Sequence, residues 1–133
     1  MRNQKVCIID DDMICTLTTK KILSHSGYSS EVVSFVNGRD AFNFICENIT
    51  AIDKLPDIIF LDIEMPFMNG FEFMAEFEKI KIAIGKKICI YMVSSSTAVE
   101  DIQKALSFSS VQDYFVKPFA VSKLIGALML AAA

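Results

Sequence analysis

Five short apolar runs alternate along the chain with segments whose apolar residues recur at helical spacing. "VCII" (6–9) is β-branched and continuous, the pattern of a buried strand. "DMICTLTTKKILSHSGY" follows, with Ile14, Leu17, Lys21 and Ile22 at helical spacing and Gly27 as a stop. "EVVSFV" (31–36) predicts a second strand. "NGRDAFNFICEN" (37–48) predicts a helix capped by Asn37, with Ala41, Phe42 and Ile45 on one face. "DIIFL" (57–61) is another buried strand after Pro56. The segment 70–80 repeats Phe71, Met74, Phe77 and Ile80 at three-residue steps, an amphipathic helix whose aromatic and methionine side chains read as core. Strands at 87–93 and 113–116 and helices at 98–106 and 120–130 complete five βα units. "ITAIDKL" (49–55) lengthens the connection before the third strand, and Ile49, Ile52 and Leu55 predict that it packs down.

Such alternation predicts a parallel sheet with right-handed crossovers and helices on both faces. Strands buried on both faces read as continuous apolar runs, as these do. The expected fold is α/β: a doubly wound, flavodoxin-like sheet of five parallel strands in the order 2-1-3-4-5, with five helices. At 133 residues the chain is read as one domain spanning 1–133, with no repeat or linker.

Composition narrows the function. The chain is 53% hydrophobic and 22% charged, which is globular rather than disordered. A net charge of -3 and the lack of any basic run argue against nucleic-acid binding. Cys7, Cys15, Cys46 and Cys89 form no C-x-x-C pair, and Cys7 and Cys89 lie in apolar runs. They read as small buried hydrophobes in a reducing compartment. Neither "MRNQKVCIIDDD" nor "LIGALMLAAA" has the length of a signal peptide or a membrane span, so a cytoplasmic location is expected.

Ligands of open α/β sheets bind beyond the carboxyl ends of the strands. Strand 1 ends in Asp10, Asp11 and Asp12, strand 3 in Asp62, strand 4 in Ser94, Ser95 and Ser96, and strand 5 in Lys117-Pro118. The topology therefore gathers carboxylates, hydroxyls and a lysine into one crevice. Clustered carboxylates repel, and a hard divalent cation such as Mg²⁺ relieves that with oxygen ligands. A carboxylate beside Mg²⁺ and a lysine is set up to attack phosphorus. Asp12 also reads as the cap of the first helix, Ser95 as a turn former, and His25 as a solvated residue at a helix end.

The pieces "IIDDD", "FLDIEMPFMNG", "YMVSSS" and "DYFVKPF", in this order, resemble the receiver domains of two-component response regulators, over essentially the whole chain. The resemblance implies that Asp62 is the phosphoacceptor. Asp11 would bind Mg²⁺ directly, Asp10 largely through water, and the backbone carbonyl of Glu64 would be a further ligand. Lys117 would pair with the phosphoryl group, and before that with Asp62 or an acid-pair carboxylate. Ser94 takes the switch hydroxyl position and Tyr114 the switch aromatic position, its ring swinging from solvent into space that Ser94 vacates. Ser96 falls where the family tunes water access to the phosphoryl group, and Glu64 would hinder or order that water. The Lys117-Pro118 bond is expected to be cis, and Pro66 and Gly70 to shape the loop after Asp62.

The implied partners are a histidine kinase or histidine phosphotransfer protein and an unidentified downstream protein. No direct contact with nucleic acid or membrane is expected, and the chain would be a monomer or a phosphorylation-dependent dimer. It reads as a stand-alone receiver or as the receiver of a longer protein. It would be a signalling domain with only self-catalysed phosphorylation and dephosphorylation, not an enzyme. Two alternatives stay open at this point. One is a degenerate receiver acting only as an interaction module. The other is an aspartyl-phosphate phosphohydrolase of the haloacid dehalogenase type, whose nucleophile lies on the first strand with its acidic pair downstream, the reverse of the order here.

Overall fold

The computed structural model of the protein describes residues 4–132; residues 1–3 and 133 of the expected domain lie outside the described residues. The strands are β1 (Gln4–Ile9), β2 (Ser29–Phe35), β3 (Ile58–Asp62), β4 (Cys89–Ser94) and β5 (Val111–Val116). The helices are α1 (Met13–Ser26), α2 (Gly38–Glu47), α3 (Gly70–Ile80), α4 (Val99–Leu106) and α5 (Val121–Ala132). All four strand pairs are parallel, in the order β2-β1-β3-β4-β5. The fold class read from the sequence is the one observed.

Alternate strand residues feed two cores. Cys7, Ile9, Ile59, Leu61, Ile90 and Met92 pack with Ala41, Ile45, Phe73, Met74 and Phe77 of α2 and α3. Val6, Ile8, Ile58, Phe60, Tyr91 and Val93 pack with Leu23 of α1 and Leu124 and Leu128 of α5. This double burial is why β3 shows five buried residues and no polar alternation. The strand it ends with is also what carries Asp62 into a sparsely solvated position.

Register sets the site. Ile9 pairs with Leu61 and Asp62 with Val93, so Asp10 emerges level with Asp62. Ser94 pairs with Val116, which brings Lys117 to the same end.

Several expectations are corrected. Ile14, Leu17 and Lys21 are exposed, and α1 instead buries Thr16, Thr19 and Leu23. Both stripes have helical spacing; threonine offers a methyl group to the sheet while scoring as polar, so the apolar pattern chose the wrong stripe. Phe73 joins Met74 and Phe77 on the buried face of α3, while Phe71 and Ile80 only border it. Of the four cysteines read as buried, Cys46 is exposed and Cys15 and Cys89 are half-buried, whereas Cys7 is fully buried and burial pushes its thiol pKa up. β5 begins two residues earlier than expected, at Val111, and β2 ends at Phe35 with Val36 exposed. The 49–55 segment packs down through Leu55 and Ile49 but leaves Ile52 exposed as the first residue of a short 3₁₀ turn, Ile52–Lys54. Among the described residues no helix is long and apolar enough to cross a membrane.

Candidate functional site

The carboxyl ends of β1, β3, β4 and β5 surround a crevice of about 670 Å³, lined by Asp11, Asp12, Asp62, Glu64, Ser94 and Lys117 among others. Asp10 and Asp62 are buried, 4% and 7% exposed, while Asp11 is exposed. One oxygen from each of the three lies within 4.8 Å of the others. Lys117 Nζ donates to Asp10 Oδ2 at 2.7 Å and stands 3.6 Å from Asp62 Oδ1. Both carboxylates are also held by backbone. The Asp12 N–H donates to Asp10 Oδ1 at 2.9 Å, and the Ile63 N–H donates to Asp62 Oδ1 at 2.9 Å.

Local sequence explains the placement. Asp12 caps α1, its side chain accepting from the Ile14 and Cys15 N–H groups. That turns the chain sharply after β1 and leaves Asp10 and Asp11 at the strand end. After β3, Gly70 N–H donates to the Ile63 carbonyl at 2.7 Å. A Cβ on Gly70 would run into the Asp62 carbonyl oxygen, so glycine is what lets α3 start this close. Asn69 and Glu72 close a reciprocal cap at the start of α3. The Lys117-Pro118 bond is cis, as expected. Phe115 and Phe119, their rings 5.5 Å apart, flank that dipeptide and continue a stack through Tyr91 to Phe60.

Electrostatics follow from burial and crowding. Burial, and then the Asp10 charge, push the Asp62 carboxyl up to about 7, against the opposing pull of Lys117. Burial works against the Lys117 ammonium, but the Asp10 hydrogen bond and the Asp62 and Asp10 charges outweigh it, so its pKa rises. Two buried carboxylates thus share one lysine. Hard oxygen donors in surplus of local positive charge suit Mg²⁺, which favours carboxylates and retained waters. Glu64 is exposed at the rim of the same crevice.

The hydroxyl side of the site holds a network that the sequence did not foretell. Ser94 is buried, and its Oγ accepts from the Ser96 N–H at 3.1 Å. Ser96 Oγ donates to Asp101 Oδ2 of α4 at 2.6 Å and accepts from the Ala98 N–H. Tyr114 is 8% exposed, and its hydroxyl donates to the Ser96 carbonyl at 2.9 Å. The ring therefore already lies inside, not in solvent. An acid in the first helical turn, Asp101, five residues after a serine, was the available signal for the tie. Cys15 sits close to Asp10, and burial raises its pKa. Ser95 is exposed at the bend that follows β4, and His25 is exposed in the last turn of α1.

Known proteins share this fold. The sequence profile of the response regulator receiver domain matches residues 6–129. The chain belongs to the receiver domain family. It is 32% identical over 126 residues to the chemotaxis protein CheY of Thermotoga maritima, covering 94% of each. It is 32% identical over 118 residues to the histidine kinase CKI1 of Arabidopsis thaliana, matching 80% of this chain but 10% of that protein. The crystal structure of a two-component response regulator from Cytophaga hutchinsonii superposes with a TM-score of 0.88 at 28% identity, covering 99% of this chain and 98% of that one. Receiver domains take part in two-component signalling, interact with histidine kinases and downstream targets, and generally bind Mg²⁺ at an acidic pocket.

Proposed function

We propose that this receiver domain, over its whole length and in the cytoplasm, accepts a phosphoryl group on Asp62 from a phosphohistidine of a kinase or phosphotransfer protein. The observation that carries the reading is the buried Asp62 facing Asp10, Asp11 and Lys117 in one open crevice.

A carboxylate oxygen of Asp62 attacks phosphorus. The O–P bond forms, the N–P bond breaks, and its electron pair returns to the imidazole nitrogen of the donor, which takes up a proton. Mg²⁺, held by Asp10, Asp11, Asp62 and the backbone carbonyl of Glu64, would supply positive charge where the transferring group carries negative charge. Lys117 leaves its partnership with Asp10 and Asp62 to bind a phosphoryl oxygen. The Ser94 hydroxyl accepts from Ser96 and keeps its own hydrogen for a second oxygen. Because Ser96 contacts Ser94, Tyr114 and Asp101 together, a shift of Ser94 reaches β5 and α4. With the ring already inside, phosphorylation holds Tyr114 in place rather than drawing it in, and the signal is a population shift of the α4–β5–α5 surface. Glu64 and Ser96 at the rim set how water reaches the product.

Incubation with Mg²⁺ and acetyl phosphate, read by intact-mass spectrometry, tests this. Wild type gains one phosphoryl group, and chelation of Mg²⁺, Asp62→Asn or Asp11→Ala prevents it. Equal labelling of Asp62→Asn would refute the assignment.

A further inference from the structure

A second cavity, of about 500 Å³, opens at the opposite end of the sheet. It lies at the amino ends of β4 and β5, between the short 3₁₀ turn Lys81–Ala83 and the loop from α4 to β5. The six residues of β4, about 17 Å of strand, separate it from the crevice at Asp62. Phe77, Ile84 and Ile88, all buried, form its floor, and Ile82 stands 94% exposed at its mouth. Folding gains nothing from an isoleucine left in water. Both walls are tied down. On one, Lys81 Nζ pairs with Glu78 at 2.7 Å and donates to the Ser109 and Ser110 hydroxyls, while the Ser110 N–H donates to Glu78 Oε1 at 3.1 Å. On the other, Lys86 Nζ pairs with Asp57 at 2.8 Å and donates to the carbonyls of Leu55 at 3.0 Å and Ile52 at 3.5 Å. A Cβ on Gly85 would lie 2.7 Å from Ile52 Cδ1, so glycine lets Ile52 pack against this connection.

The hydrogen-bonding capacity of the rim decides what fits. An ammonium group has three N–H donors. Those of Lys81 and of Lys86 are each spent on three partners, and the acids beside them are taken up in the same pairs. Lys87 is exposed on the same rim and has no carboxylate partner among the described residues. The cavity therefore offers one unpaired cation over an apolar floor. A nucleoside di- or triphosphate carries more charge than one ammonium offsets. A cationic ligand would meet Lys87 with no carboxylate in the lining. The volume falls within the range of small-ligand sites, about 300–1,000 Å³. We propose that this cavity binds a small organic carboxylate. Its aliphatic or aromatic body rests on Phe77, Ile84 and Ile88, and its carboxylate pairs with Lys87. The site is separate from the phosphoacceptor chemistry and does not depend on it.

Titration of the isotope-labelled protein with decanoate, kept below its micelle concentration, tests this by amide NMR. Decanoate should give saturable shifts at Ile82, Lys87, Ile88 and Ser110, half-complete below about 1 mM, with Asp10, Asp11 and Asp62 unmoved. Acetate, the head group without the tail, should give none. Decyltrimethylammonium, a similar tail with the opposite charge, should bind at least about fivefold more weakly. Lys87→Glu should weaken decanoate by a similar factor without lowering the urea midpoint, since Lys87 has no ion pair to lose. The absence of saturable shifts overturns the proposal, as do shifts centred on the exposed apolar residues of α1, α4 or α5. Equal binding of the two tails, or equal binding of decanoate by wild type and Lys87→Glu, overturns it as well. Neither Mg²⁺ nor a phosphodonor is present, so each of these results leaves the phosphoacceptor reading untouched.

Discussion

Replacing Asp62 with Asn should stabilise the metal-free protein at neutral pH, although Asp62 is the residue on which the function rests. Its carboxyl titrates at about 7 in the native protein, raised from 3.8 by burial and by Asp10. Between those two values the native chain keeps a proton that the unfolded chain has released. Unfolding then releases protons, so stability falls as pH rises from about 4 to about 7, and the loss is complete above that. A rise of about three units sets a ceiling of about 4 kcal/mol. Lys117 stands 3.6 Å away and the crevice admits water, so about 2 kcal/mol is expected at pH 8. Asparagine keeps the shape and an acceptor for the Ile63 N–H while removing the charge. Urea unfolding at pH 5 and pH 8, without Mg²⁺, compares the two proteins. The variant should be close to wild type at about pH 4–5, where Asp62 is protonated in the native state, and clearly more stable at pH 8. Saturating Mg²⁺ should close the gap by stabilising wild type more, since a ligand at a hundredfold its Kd contributes about 2.7 kcal/mol. A variant less stable than wild type at pH 8, or the same pH slope in both proteins, would refute the reasoning.

Lys117→Met should lose about 3 kcal/mol in the metal-free protein by leaving Asp10 buried without its partner, and Mg²⁺ should recover part of it in urea titrations. Gly70→Ala should cost about 1–3 kcal/mol by forcing a methyl group against the Asp62 carbonyl, and labelling by acetyl phosphate should slow with it. Asp12→Ala should cost about 1 kcal/mol as a lost helix cap, with labelling retained; complete loss of labelling would place Asp12 in the chemistry instead. Beryllofluoride with Mg²⁺ should shift the amide NMR signals of Ser96, Asp101 and Tyr114, and Ser94→Ala should shrink that response while metal binding persists.

The strand-end residues were legible because period and topology together determine them. Apolar runs at 6–9 and 57–61 mark buried strands, and a doubly wound sheet sets their ends side by side, so Asp10, Asp11 and Asp62 had to meet. Lys117 was legible for the same reason at β5. The buried face of α1 was not, because Ile14 with Leu17 and Thr16 with Thr19 satisfy the same helical spacing, and only packing against the sheet selects between them. The inward Tyr114 was not legible either. Its position depends on the Ser96 carbonyl, which a loop conformation delivers and no periodicity encodes. The tight turn at Phe67, where φ is 67° and the Met68 N–H donates to the Pro66 carbonyl, had no local signal, since phenylalanine is not expected at a positive φ.

The central claim is that Asp62 itself receives the phosphoryl group, and borohydride reduction of the labelled protein followed by peptide mass mapping addresses it directly. Hydride reduces an acyl phosphate to the alcohol, so phosphorylated aspartate is converted to homoserine. The account predicts homoserine at position 62 alone, only in samples given both Mg²⁺ and acetyl phosphate. Homoserine at Asp10, Asp11 or Asp12, or a stable phosphate ester on Ser94 with Asp62 unmodified, would contradict it.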